Sequence, residues 1–184
     1  VVMRTVMRLD DGTVSLTPLG PDDLEAHLAG EDEELVRWLS GGPADRDGLL
    51  DYLRACERMW IEGGPMHNFG VRCGPEAVLA GTMDVQFDQP YLPPGEVNLS
   101  YGLYPAWRGR GVATRAVVLA CDYATALGAE AAVIRCEAAN RRSAAVAERA
   151  GFEPLEPRLA EDGDLLDWYR RALIHQDRTP SAWT

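Results

Sequence analysis

Seven consecutive residues, Arg108-Gly109-Arg110-Gly111-Val112-Ala113-Thr114, have the make-up of an anion grip. The two glycines let the backbone turn tightly and approach a ligand closely. They precede an apolar-periodic stretch that reads as a long helix. The first amides of a helix have no partner inside it and carry the positive end of its dipole, so a pyrophosphate fits there. Thr114 adds a hydroxyl donor, and Arg108 and Arg110 add charge-assisted contacts. A Gly-x-Gly of this kind also serves as a plain tight turn into a helix. A third alternative is a dinucleotide loop, because Gly109-x-Gly111-x-x-Thr114 half-matches G-x-G-x-x-G and Glu137 stands where a ribose-binding acid would. Context argues against it: Pro105-Ala106-Trp107 separates strand from glycines, the third glycine is absent, and only one crossover follows.

The remaining chemistry is bounded by composition. The 184 residues suit one domain, and 46% hydrophobic against 26% charged residues is the mix of a globule with one sizeable core. All 18 basic residues are arginine, which removes Walker A loops and Schiff-base lysine chemistry. Against 29 acids they leave a formal net charge of −11 and a pI near 4.7. A nucleic-acid partner is not expected of so acidic a chain, and a cationic small molecule or peptide is. Cys56, Cys73, Cys121 and Cys136 form no C-x-x-C and no zinc-finger spacing with histidine, so no metal is expected. Cys121 and Cys136 read as buried reduced thiols. Nothing resembles a signal peptide or a membrane-spanning run, so the expected location is cytoplasmic with no membrane partner. The opening Val1-Val2-Met3 leaves the natural start open between Met3, Met7 and a non-standard start codon.

The elements that must position the loop follow from periodicity. Thr13–Pro18 alternates as a strand, and Pro21-Asp22-Asp23 opens a helix whose apolar stripe runs to Leu39 with a break near Gly30. After the Gly41-Gly42-Pro43 break, Asp47 caps a helix to Trp60. Strands are expected at Asn68–Arg72, Val78–Phe87 and Val97–Tyr104. The helix Val112–Leu127 and the strand Ala131–Cys136 follow. The helix Arg141–Ala150 comes next, then a hairpin of Leu155–Leu159 and Leu165–Leu173 turning at Glu161-Asp162-Gly163-Asp164. This order gives an α/β chain with a mixed sheet flanked by helices. The domain spans residues 11–174, with flexible termini at 1–10 and 175–184.

The chain resembles the GCN5-related N-acetyltransferase (GNAT) superfamily, especially its RimJ/RimL-like branch. The pyrophosphate loop of that family, [Q/R]-x-x-G-x-[G/A], is matched by Arg108, Gly111 and Ala113. Its N-x-x-S…G-F signature is matched by Asn140, Ser143, Gly151 and Phe152. The likeness covers Leu16 to about Leu173 and is specific from Val97 to Phe152. It implies a mostly antiparallel twisted sheet of about seven strands, splayed between the fourth and fifth and flanked by about four helices. It implies acetyl-CoA as cosubstrate, its pantetheine arm inserted at the splay along Tyr101 and Leu103 and its pyrophosphate on Arg108–Thr114. It also implies a bulge in the fourth strand that aims an N–H at the thioester carbonyl, an oxyanion donor contributing about 3 kcal/mol.

The same resemblance implies direct attack by a primary amine on the thioester. Asn140 matches the family residue that contacts pantetheine or a bound water. Ser143 lies where some relatives place the acid that protonates the leaving thiolate; a helix-cap role is the alternative. Many relatives carry a tyrosine four residues before the Gly-Phe pair, where this chain has Ala147. For the general base, Glu96 at the head of the fourth strand is the first candidate and Asp84 the second, each also readable as a solvated strand residue. Arg141 and Arg142 are candidates for the 3′-phosphate. Trp38 and Trp60 either wall the acceptor pocket or pack in the core. His27, His67 and His175 are scattered and read as surface or satisfied core. The acceptor expected of the acidic balance is a protein N-terminus, a polyamine or an aminoglycoside. A non-catalytic acyl-CoA sensor on the same fold is the alternative, and a nicotinamide oxidoreductase a weaker one. Homodimers are frequent in the family, and no stretch here proves one.

Overall fold

The computed structural model describes residues 7–40, 45–160 and 162–173. The Gly41-Gly42-Pro43 break, Glu161, His175 and most of both proposed tails lie outside them. Eight strands form one sheet: β1 (Leu9–Asp10), β2 (Val14–Pro18), β3 (Met66–Cys73), β4 (Val78–Gln86), β5 (Glu96–Leu103), β6 (Ala131–Glu137), β7 (Glu153–Leu159) and β8 (Leu165–Ala172). Their spatial order is β1-β2-β3-β4-β5-β6-β8-β7. Every neighbouring pair is antiparallel except β5 and β6. Among the described residues five helices flank the sheet: α1 (Leu24–Gly30), α2 (Glu33–Leu35), α3 (Arg46–Glu62), α4 (Val112–Ala126) and α5 (Arg141–Arg149).

Two counts differ from expectation. The eighth strand is β1, where Leu9 and Asp10 pair with Leu16 and Ser15 inside the stretch expected to be a flexible terminus. Met7 and Leu9 pack on the core, which a two-residue strand is too short to advertise as periodicity. The fifth helix arises because the stripe from Pro21 to Leu39 is not one helix. It divides into a 3-10 turn at Pro21–Asp23, α1, and α2 running on into a π turn at Val36–Ser40. Asp32 caps α2 by accepting from Leu35 N, which starts a new helix two residues past Gly30.

Alternation decides the faces. Met83 and Val85 on β4, Leu99 on β5 and Phe69 on β3 are buried in the main core with Val117, Ala120 and Ala124 of α4. A second cluster places Leu49, Leu53 and Cys56 of α3 against Leu19, Leu24, Leu79 and Tyr104. The sheet is therefore covered on both sides, α4 and α5 on one face and α1 and α3 on the other. Phe69, fully buried, meets Tyr123 edge-on at 5.1 Å and Trp60 at 4.9 Å between ring centres. Phe69→Leu keeps the bulk and loses both ring contacts. It is expected to destabilise by about 1–2 kcal/mol, read as a lower urea midpoint at unchanged m.

The positioning feature is the split beside β5. Parallel pairing to β6 covers only Glu96↔Ala131, Val97↔Ala132 and Asn98↔Val133. Beyond Asn98 the two strands diverge, although β5 continues to Leu103 and β6 to Glu137. This is the expected splay. The expected bulge is not there: β5 pairs with β4 in continuous register from Asn98↔Gln86 to Leu103↔Gly81. The edge of β5 facing the gap is free of a strand partner because β6 leaves it. Gly102 lies on that stretch, and a Cβ there would meet Leu39 and Leu35 at 2.4–2.5 Å. A side chain at 102 would make the tips of Leu35 and Leu39 shift.

Candidate active site

Two cavities of about 570 Å³ each flank β5, one on each face of the sheet. They share Leu35, Leu39 and Tyr101, so they meet at the split. The first runs from the glycine loop along Tyr101 and Leu103 to Asn140 and Ser143. The second lies between α1, α3 and the sheet, over Thr82, Asp84 and Ser100.

The first cavity brings together uncapped helix amides and arginines. Gly111 is the N-cap of α4 with φ 75°, and it offers no side chain to that helix's amides. In contrast, α2, α3 and α5 are capped by Asp32, Asp45 and Asn140. The amides of Val112, Ala113 and Thr114 thus have no side-chain cap, and all three residues line the cavity. Gly109 has φ 71°, and a Cβ on either glycine would have nothing within 4 Å, so the approach is open. Arg141, Arg142 and Arg149 border the same space.

Arg108 has another task. Its two Nη atoms donate to Asp32 at 2.7 Å each, Nη1 reaches Glu34 at 3.0 Å, and Nε donates to the Leu103 carbonyl at 2.9 Å. The fork is filled by carboxylates, and it ties the loop to α2 and to the end of β5. Asp32 is held below the usual carboxylate range, first by this hydrogen bond. Arg110 does not line the cavity and lies over the Trp107 ring at 5.6 Å. Arg142 is paired with Glu34 at 2.9 Å.

At the far end of the first cavity, Asn140 caps α5 by accepting from Ser143 N at 3.1 Å. Ser143 is therefore in the first turn without being the cap. Its hydroxyl lies 3.1 Å from the Tyr101 hydroxyl. Ala147, one turn on, is fully buried.

The second cavity has the opposite charge. Glu31, Asp45 and Asp84 border it, and among the described residues no arginine does. Asp84 sits on β4 opposite Asn68 and Ser100, and Asn68 Nδ2 donates to its carboxylate at 2.8 Å. Burial lifts its pKa from 3.8 to about 6, against the lowering effect of Asn68. His27 borders this cavity too, its Nδ1 2.7 Å from the Tyr104 hydroxyl, and burial lowers its pKa.

Glu96 lines neither cavity. It lies at the paired end of β5, where Arg170 of β8 grips it at 2.8–2.9 Å. Of the two tryptophans, Trp38 borders the first cavity, whereas Trp60 stacks on His67 and donates to the Asn68 carbonyl at 2.7 Å. The four cysteines are free and buried. Sequence reasoning missed the Tyr101 hydroxyl and the acids that hold Arg108. Asp32 and Glu34 lie 76 and 74 residues from Arg108, and no local pattern links them.

Solved structures share this architecture. RimL, a ribosomal-protein α-N-acetyltransferase solved in complex with coenzyme A, is 16% identical with TM-score 0.77, over 91% of this chain and 98% of its own. The microcin self-immunity acetyltransferase MccE, in complex with acetyl-CoA and AMP, is 15% identical with TM-score 0.72, over 89% and 94%. A GNAT-family acetyltransferase from Bacillus anthracis is 17% identical with TM-score 0.72, over 91% and 98%. No curated protein matches the chain. At these identities the structures establish the fold, and the sequence establishes the rest: residues 13–153 match the acetyltransferase (GNAT) domain model, and the chain belongs to that family.

Proposed function

We propose that the protein transfers an acetyl group from acetyl-CoA to a cationic primary amine by direct attack in a ternary complex. The observation that carries this is the division of charge across β5. An arginine-bordered cavity with free helix amides meets a carboxylate-bordered cavity at a gap in the sheet. A phosphate-bearing thioester suits the first and an ammonium the second, and the gap lets their reacting atoms meet. RimL and MccE, similar in fold, were solved with coenzyme A and acetyl-CoA, which supports the donor.

In this reading the amides of Val112–Thr114 and the open backbone at Gly109 and Gly111 take the pyrophosphate. The free edge of β5 at Tyr101 and Leu103 takes the pantetheine, and Arg141 with Arg149 faces its charged end. Arg108 braces the loop rather than touching phosphate. Asp84 is the base. A lysine-like amine is only about 0.04% neutral at pH 7, so it needs a base to take its proton, and a carboxylate poised near neutrality suits that transfer. Glu96, held by Arg170, ties β5 to β8. Ser143 gives its proton to the departing thiolate. The test is release of free thiol from acetyl-CoA across a panel of peptides, polyamines and aminoglycosides. Turnover on a cationic amine is the expected result. Coenzyme A binding with no turnover on any amine would instead make the protein a sensor.

A further inference from the structure

The resemblance places a phenol on α5 at position 147, and this chain has a buried alanine there. A phenol nevertheless reaches Ser143, from β5. The Tyr101 hydroxyl is 3.1 Å from Ser143 Oγ and 3.2 Å from the Ser143 backbone carbonyl. A carbonyl oxygen only accepts, so the Tyr101 proton is drawn to the side where both Ser143 oxygens lie. The 3.1 Å contact fits donation in either direction; with the one Tyr101 proton shared between the two Ser143 oxygens, Oγ accepts and keeps its own proton for another partner. Ser143 and Tyr101 both border the first cavity, and Tyr101 stands where that cavity joins the second.

We propose that Tyr101 is a positioning residue for acetyl transfer: its phenol donates to Ser143 and holds the Ser143 hydroxyl proton toward the gap, where the thiolate leaves. This rests on the transfer reading above. In the step it serves, the amine nitrogen bonds to the thioester carbonyl carbon and the C–S bond breaks. The sulfur takes the Ser143 proton, the proton shed by the amine passes to Asp84, and solvent restores both groups. Tyr101 stays neutral throughout, since burial pushes its phenol well above the usual range.

A double-mutant cycle on the full chain tests this, with wild type, Tyr101→Phe, Ser143→Ala and the double variant assayed on an amine that wild type acetylates. Tyr101→Phe is expected to lower kcat about tenfold while KM for acetyl-CoA stays within about twofold. In the Ser143→Ala background the same change is expected to alter kcat by less than about twofold, because the group it acts through is gone. Ser143→Thr keeps a hydroxyl, and there the loss on removing the phenol should return. An unchanged kcat in Tyr101→Phe, or an equal loss with and without Ser143, overturns the proposal. Absence of wild-type turnover on every amine is a different result, one that removes the transfer reading itself. Thermal melts of each variant separate loss of fold from loss of rate.

Discussion

Asp84→Asn is expected to lower kcat/KM for a cationic amine about a hundredfold while making the protein more stable at pH 8. Both effects come from one carboxylate. General-base contributions run from about 10² to 10⁴ in rate, and an amide cannot take a proton. The acid limb of the wild-type profile should fall near pH 6, because burial holds Asp84 at about 6 and only its ionised form is a base. That limb should vanish from whatever activity the variant keeps. The stability effect has the opposite sign. The folded-state pKa lies above the ordinary 3.8, so the folded protein binds the proton more tightly than the unfolded chain does. This contribution to stability is full below about pH 4 and is lost as pH rises through about 6. A shift of about two units corresponds to about 2–3 kcal/mol of unfavourable ionisation at pH 8. Asparagine removes that ionisation and can still accept from Asn68. Melting curves at pH 4 and pH 8 should show the variant gaining only at the higher value. A variant less stable than wild type at pH 8, or one that keeps the limb near pH 6, would sink the assignment.

Gly111→Val is expected to raise KM for acetyl-CoA about a hundredfold and to change kcat much less. Gly111 has φ 75°, where a β-branched L-residue is strained by at least about 1–2 kcal/mol. No atom within 4 Å would clash with the new Cβ, so the branches occupy the open space in front of the α4 amides. The free protein therefore pays in strain alone, and the ligand loses its approach. Gly128→Val is the control. It sits at the other end of the same helix with φ 90° and equally open surroundings, yet far from the loop. Both variants should melt a few degrees lower, but only Gly111→Val should weaken coenzyme A binding in calorimetry. Equal binding by the two would mean that the loop is a turn and not a grip.

The glycine loop was legible from its residues because the reason for them is local. A left-handed N-cap followed by an apolar-periodic helix needs glycine there, and the same backbone exposes the amides. The strands β3 to β6 and the helices α4 and α5 were legible for the same kind of reason, since alternation and the 3.6-residue stripe are set by the face that each element buries. Asn140 and Ser143 were placed by the family resemblance, through its N-x-x-S…G-F signature. The roles inside the site were not settled this way. Arg108 reads from sequence as a phosphate contact, and only the fold brings Asp32 and Glu34 to fill its guanidinium. Glu96 and Asp84 look equivalent as strand acids. Register across the sheet gives the first an arginine on β8 and the second a buried place beside Asn68. Tyr101 shows in the sequence as an apolar-phase residue on the strand expected to face pantetheine; its hydroxyl gains meaning from Ser143, 42 residues away. The sequence by itself determined where the backbone of this protein leaves helix amides uncapped. Which side chains are free to react was decided by tertiary structure, because a charged or polar group's chemistry depends on the partners and the burial that distant segments bring to it.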